Sequence, residues 1–238
     1  LSTAQSSVDA VLKAGYTLLP TFADIFNLNN EANSELIWTL PYIVNENVTP
    51  GTSPNFFAYY LAPNGDRTRL REAGYTEDEV PAGSHAQYVV PTQAYCDFLA
   101  EDARDTRTDV SVRVFEDKFL TEEVQIKRMV VKFKGSFAND TRSFDSDVPV
   151  YRLAEAYLLK AEVENALGNT DAALQNLNVV AKRAYGVDNY YTARTQDAID
   201  NAIISEILKE FVAESKAWWA YLRFNKEFEL IETLKGRE

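Results

Sequence analysis

The heaviest hydrophobic patterning lies in the last third of the chain, where apolar residues recur at three- and four-residue spacing in three successive stretches. Val150, Leu153, Ala154, Tyr157, Leu158, Ala161 and Leu167 form the first stripe, with Glu155, Lys160, Glu162 and Glu164 off it. Pro149 suits the first turn of that helix. Gly168-Asn169 predicts a left-handed stop and Thr170 the N-cap of a second stripe through Ala173, Leu174, Leu177, Val180, Ala181 and Ala184, closed by Gly186. So short a turn makes the two helices antiparallel, and Ala154, Ala161, Ala173 and Ala181 let them approach closely. The third stripe carries Ile199, Ile203, Ile204, Ile207, Leu208, Phe211 and Val212 on to Trp218 and Leu222, with Thr195 as its cap. A lone hairpin cannot bury its own apolar face. The third segment is the partner that covers it.

Ahead of this core the pattern is weaker. Ser6 to Leu19 reads as one helix ending at Pro20, Thr21 to Asn30 as a loop or a short helical turn, and Ser34 to Val44 as a strand or extended segment. Asn45 to Val90 has turn signals and no sustained period. Pro91 to Arg107 reads as a short helix capped by Thr92, followed by a self-satisfied ion-pair turn over Glu101 to Arg107. Val110 to Phe115 and Val124 to Phe133 read as two strands of an antiparallel ribbon, and Gly135 to Ser146 as a polar loop.

Tyr157-Leu158-Leu159-Lys160-Ala161, with Gly168-Asn169 and Ala173 beyond it, has the spacing of a tetratricopeptide hairpin. The run from Asp147 through Arg152-Leu153-Ala154-Glu155 to Ala161-Glu162 resembles the opening of the C-terminal half of the SusD/RagB family, glycan-binding lipoproteins of the Bacteroidetes outer membrane. Glu206 through Glu210, Glu214, Trp218 and Leu222-Arg223 is similar to that family's second signature. Asp105-Thr106-Arg107 resembles its "DPR" element, Lys132-Phe133 its "KY" strand, and the stretch from Ser34 to Val44 a further block. Departures stand at Ile207, Ser215, Ala217 and Ala220, where the family commonly has Arg, Gly, Arg and Asp.

The charge balance narrows the function classes. A net charge of −12, without a Lys/Arg cluster, argues against nucleic-acid partners and anionic lipid surfaces. Cys96 is the only cysteine and His85 the only histidine, so a thiolate cluster or an imidazole zinc site is excluded. No cofactor and no metal are expected. Cys96 reads as a small buried hydrophobe. Glu206, Glu210 and Glu214 fall at i, i+4 and i+8, where like charges cost about 0.2–0.5 kcal/mol per pair unless cations face them. Arg152, Lys209 and Lys216 are the candidate partners. A glycosidase using Glu210 and Glu214 is the enzymatic alternative, and a tetratricopeptide adaptor for a peptide or protein the other. Trp218 and Trp219 point about 100° apart on a helix, which predicts one in the core and one half exposed.

The irregular middle concentrates aromatic residues beside Asn, Asp and Arg, the mixture that sugar recognition requires: flat rings for the apolar face of a pyranose and forked polar groups for vicinal hydroxyls. From it come the candidate ligand residues Tyr59, Tyr60 and Tyr88 for stacking and Asn64 and Arg67 for hydrogen bonding. The expected fold is mostly α, a tetratricopeptide-like α/α helical scaffold with an irregular loop-rich insertion and a small β-ribbon. It is read as a single domain fragment, with helix and loop over 1–35, the insertion over 36–146 and the helical core over 147–238. The resemblance implies a non-catalytic protein that binds an oligosaccharide or polysaccharide at the outer-membrane surface and passes it to a SusC-like TonB-dependent transporter. It also implies a longer full-length chain with a lipid anchor that this chain lacks.

Overall fold

A computed structural model describes residues 1–43, 46, 67–81, 89–117, 123–231 and 234–235. The chain divides into two compact units, one of Leu1–Thr21, Ser34–Trp38 and Tyr151–Glu238 and one of Phe22–Asn33 and Thr39–Val150.

The first unit is helical. Helix α1 (Ser2–Leu12) starts and ends earlier than the sequence pattern predicts and buries none of its residues. Its contacts with the rest of the unit include polar ones: Gln5 Nε2 donates to Glu164 Oε1 at 2.7 Å, and Lys160 reaches Asp9 and Glu164 at 2.6 Å each. The hydrogen bonds from Lys160, Gln5 and Asn169 hold the Glu164 carboxyl down at about 2.

In chain order, α2 (Arg67–Glu72), α3 (Gln93–Leu99) and α4 (Thr108–Ser111) fall in the second unit, and α5 (Leu153–Ala166), α6 (Thr170–Tyr185) and α7 (Gln196–Glu210) in the first. Ala154, Leu158, Ala161, Ala173, Leu177, Val180, Ile199, Ile203 and Ile207 share one apolar cluster with Phe211 and Ala220. The four small residues that the hairpin needs, Ala154, Ala161, Ala173 and Ala181, are all fully buried. Gly168 takes the turn between α5 and α6 at φ +79°, and Gly186 caps α6 at φ +68°, both in the left-handed region. Thr195 caps α7, its hydroxyl accepting from Ala198 N–H.

Within the helical core, three boundaries differ from expectation. The hairpin's first helix begins at Leu153, because Val148–Arg152 forms strand β6, paired with β1 (Leu36–Leu40). Pro149 has no N–H to give, and a two-stranded ribbon consists of edges, where that loss is tolerated. Asn169, rather than Thr170, occupies the N-cap position of α6, and its amide donates to Glu164. The third helix stops at Glu210. Phe211 to Ser215 form a turn with Ala213 at φ +59° and Ser215 at φ +61°, and a separate helix α8 (Ala217–Phe224) follows, then α9 (Glu227–Leu230).

That break re-aims the tryptophans. Ala220 is the buried residue of α8 and Phe224 packs beside the cluster, so Trp218 and Trp219 stand 46% and 60% exposed. The expectation that one of them enters the core is corrected.

In the second unit, Phe22–Phe26 and Leu28–Asn30 are short 3-10 turns. Thr92 caps α3 as expected, and Cys96 is buried. Strands β2 (Val112–Asp117) and β3 (Gln125–Val130) pair antiparallel from Val112 opposite Val130 to Asp117 opposite Gln125. Phe115 and Met129 pack with Val80 and Val131. Lys132, just past β3, is buried with its ammonium 4.6 Å from the Phe26 ring centroid and 5.0 Å from that of Phe22. The ion-pair turn is present: Arg104 binds Asp102, and Arg107 binds Asp105 at 2.7 Å with both side chains buried.

The segment expected as a polar loop is a hairpin of β4 (Ser136–Ala138) and β5 (Thr141–Ser143), and its return arm, Arg142 to Ser146, is buried. Gly135 makes this possible. At φ +65° a Cβ there would lie 2.0 Å from the Ser143 carbonyl oxygen.

Candidate functional site

At the junction of β6 and α5, the strand's period-2 alternation sends Arg152 inward and Tyr151 outward. Arg152 is buried and forks onto Glu214, Nε to Oε2 at 2.8 Å and Nη2 to Oε1 at 2.9 Å. Its Nη1 donates to Glu35 and Glu210 at 2.9 Å each, and its Nη2 to the Glu210 carbonyl at 3.1 Å. Arg183 on α6 closes the cluster from the other side, binding Glu35 at 2.5 Å and Glu210 as well. Glu35 also accepts the Leu19 N–H. Burial pulls the guanidinium of Arg152 toward neutrality, but the surrounding carboxylates, Glu214 and Glu210 foremost, more than offset it and leave its pKa raised well above the usual value.

This cluster accounts for two of the three acids in the carboxylate line. Glu210 and Glu214 are committed to guanidinium groups in the interior, the opposite of two carboxyls facing a water-filled cleft. Glu206, also buried, accepts the hydroxyls of Tyr185 and Tyr191 at 3.1 and 2.8 Å. Lys216 pairs with Glu155 at 2.7 Å. Lys209 reaches the Tyr185 hydroxyl. Glu35 and Arg183 are the members that sequence reasoning did not name. Each lies more than 25 residues from its ion-pair partners, so no spacing rule reaches it.

On the outer face of the same junction, Trp38 of β1 and Tyr151 of β6 stack with ring centroids 6.0 Å apart and planes 29° apart. They remain 55% and 49% exposed. The Lys216 ammonium lies 4.5 Å from the Tyr151 ring centroid. A separate open cleft of about 410 Å³ runs along α6, where Asn178 clasps the Tyr191 backbone in both directions and Arg194 bridges to Asp171.

Of the residues expected to bind ligand, Tyr59, Tyr60, Asn64 and Tyr88 lie outside the described residues. Arg67 is the first residue of α2. Among the described residues there is no group of three or more His, Cys, Asp or Glu that could hold a metal ion, and no helix long and apolar enough to cross a membrane.

Residues 118–237, half of the chain, match the family model described as the SusD family. The chain belongs to the SusD family. Among curated SusD-like proteins, it is 26% identical to SusD-like protein P25 of Formosa agariphila over 97% of its own length and 47% of that protein's, so it spans about half of this relative. A SusD superfamily protein from Bacteroides fragilis superposes with a TM-score of 0.72 at 26% identity, covering 92% of this chain and 46% of the other. Surface glycan-binding protein A from Bacteroides thetaiotaomicron, in complex with laminarihexaose, shares the fold with a TM-score of 0.62 at 20% identity, over 94% of this chain and 50% of the other. The helical hairpin, its third helix and the small ribbons described above are thus a SusD-type tetratricopeptide-like scaffold. Within it, the Arg152 cluster draws Glu35, Arg152, Glu210 and Glu214 from three of the blocks that carry the family resemblance, and the side chains of all its members are buried.

Proposed function

We propose that this chain is part of a non-catalytic glycan-capturing protein of the bacterial outer-membrane surface, which hands its oligosaccharide to a TonB-dependent transporter of the SusC type. Membership of the SusD family carries the reading. The shared fold with a glycan-binding protein that holds laminarihexaose supports it. The interior placement of Glu210 and Glu214 favours binding over hydrolysis, since carboxylates buried against arginine in the interior are out of reach of a sugar.

Within this reading, Tyr59, Tyr60 and Tyr88 stack on pyranose rings and Asn64 and Arg67 fix hydroxyls. Titrating a panel of neutral and acidic hexasaccharides by calorimetry identifies the ligand. The Tyr59→Ala/Tyr60→Ala double variant then loses roughly tenfold or more in affinity, about 1.4 kcal/mol per decade. Wild-type-like affinity in that variant rejects the residue assignment, and oligosaccharide turnover by the wild type rejects the non-catalytic reading.

A further inference from the structure

The geometry points to the Trp38–Tyr151 pair as a saccharide-stacking surface of its own, built for a neutral glycan. The inference rests on the glycan-binding reading above and extends it to a place that reading does not use.

Three observations carry it. First, the two rings are held rather than merely exposed. Trp38 and Tyr151 come from paired strands, and Tyr151 is flanked in sequence by Arg152, whose buried fork onto Glu35, Glu210 and Glu214 fixes the strand beneath it. A flat surface on a rigid element costs little ordering when a sugar ring lies on it. Second, the pair leaves about half of each side chain open to solvent although Trp and Tyr are among the residues most worth burying; Trp38 stacks on Tyr151 and the Lys216 ammonium lies over the same Tyr151 ring, so the open apolar face, of the kind the C–H side of a pyranose covers, is that of Trp38, with Tyr151 behind it. Third, the charge nearest the rings is balanced. Lys216 sits over the Tyr151 ring and is joined to Glu155 at 2.7 Å, so the two charges answer each other beside the surface.

The charge argument selects the ligand. The ammonium nearest the rings is already paired with a carboxylate, and the whole chain carries −12. A uronic or sulfated polymer would meet repulsion at long range and a neutralised cation at contact. A neutral hexose chain meets neither.

The test uses the 238-residue chain and a panel of neutral hexasaccharides, namely laminarihexaose, maltohexaose, cellohexaose and xylohexaose, with hexagalacturonate as the acidic probe. At least one neutral probe binds, and hexagalacturonate does not. Trp38→Ala and Tyr151→Ala each weaken the neutral probe by roughly fivefold or more, as stacking losses do, while Trp219→Ala, which removes a tryptophan of similar exposure on α8, leaves it unchanged. Trp38→Phe keeps most of the affinity but abolishes the ligand-induced change in tryptophan emission, and that reading stands even if Trp38→Ala does not fold. Neutral-glycan binding that survives both alanine substitutions overturns the surface while leaving the family function intact. Binding of hexagalacturonate alone overturns the choice of ligand, and a shift from dimer to monomer caused by Trp38→Ala shows that the rings meet another copy instead. No binding of any probe by the wild type overturns this inference and the glycan reading together.

Discussion

Arg152 is buried among three carboxylates, and its contribution is of a kind that single deletions expose sharply. Replacing it by Met keeps much of the side-chain volume and the contact with the Phe211 ring, which the guanidinium carbon approaches to 4.5 Å, but leaves Glu35, Glu210 and Glu214 without this cation. Breaking a buried pair from one side costs on the order of 3–5 kcal/mol. Urea denaturation of Arg152→Met is expected to show a loss of that size, and a change under 1 kcal/mol would mean that Arg183 alone suffices. Glu31 works in the opposite sense. Burial, the largest influence, lifts its carboxyl from 4.5 to about 7, with the neighbouring Asp147 and Asp145 charges adding to the lift and the Asp147 N–H partly countering it. Between pH 4.5 and 7 the folded chain therefore holds a proton that the unfolded chain has released. The stabilisation is complete below pH 4.5 and fades as the pH rises toward 7. In Glu31→Gln, whose amide oxygen still accepts from Asp147, the decline of the urea midpoint across that window should flatten, and an unchanged slope would assign the pH dependence elsewhere.

At the level of elements, the hairpin was legible and its starting point was not. The apolar period and the glycines at 168 and 186 locate α5 and α6, because left-handed stops have a strong residue preference. The shift of the first boundary from Pro149 to Leu153 comes from a partner strand more than 100 residues away, which a local period cannot register. The stop of α7 at Glu210 had a signal that went unused: Ser215 stands where the family usually places glycine, and its φ is +61°. Left-handed backbone costs a non-glycine residue about 1–2 kcal/mol, and glycine's extra freedom in the unfolded chain returns part of that. Ser215→Gly is accordingly expected to stabilise the chain by about 0.5–1 kcal/mol in thermal unfolding. A destabilised variant would show that the Ser215 side chain holds the turn in some other way.

On the scale of the whole molecule, composition and pattern determined a good deal. The helical class, the mutual shielding of three amphipathic segments and the small antiparallel ribbon follow from short-range periodicity, and the family from the residue blocks that resemble it, all of them properties of the chain before it folds. The tertiary structure decided what depends on residues remote in sequence. It turned a line of glutamates into two interior guanidinium clamps and a tyrosine-bound acid, sent both tryptophans of α8 outward, buried the arm of an apparently polar loop, and set Trp38 against Tyr151. Helical period is written within a few neighbouring residues. The side of a strand or helix that faces water is settled only when a distant segment covers the other.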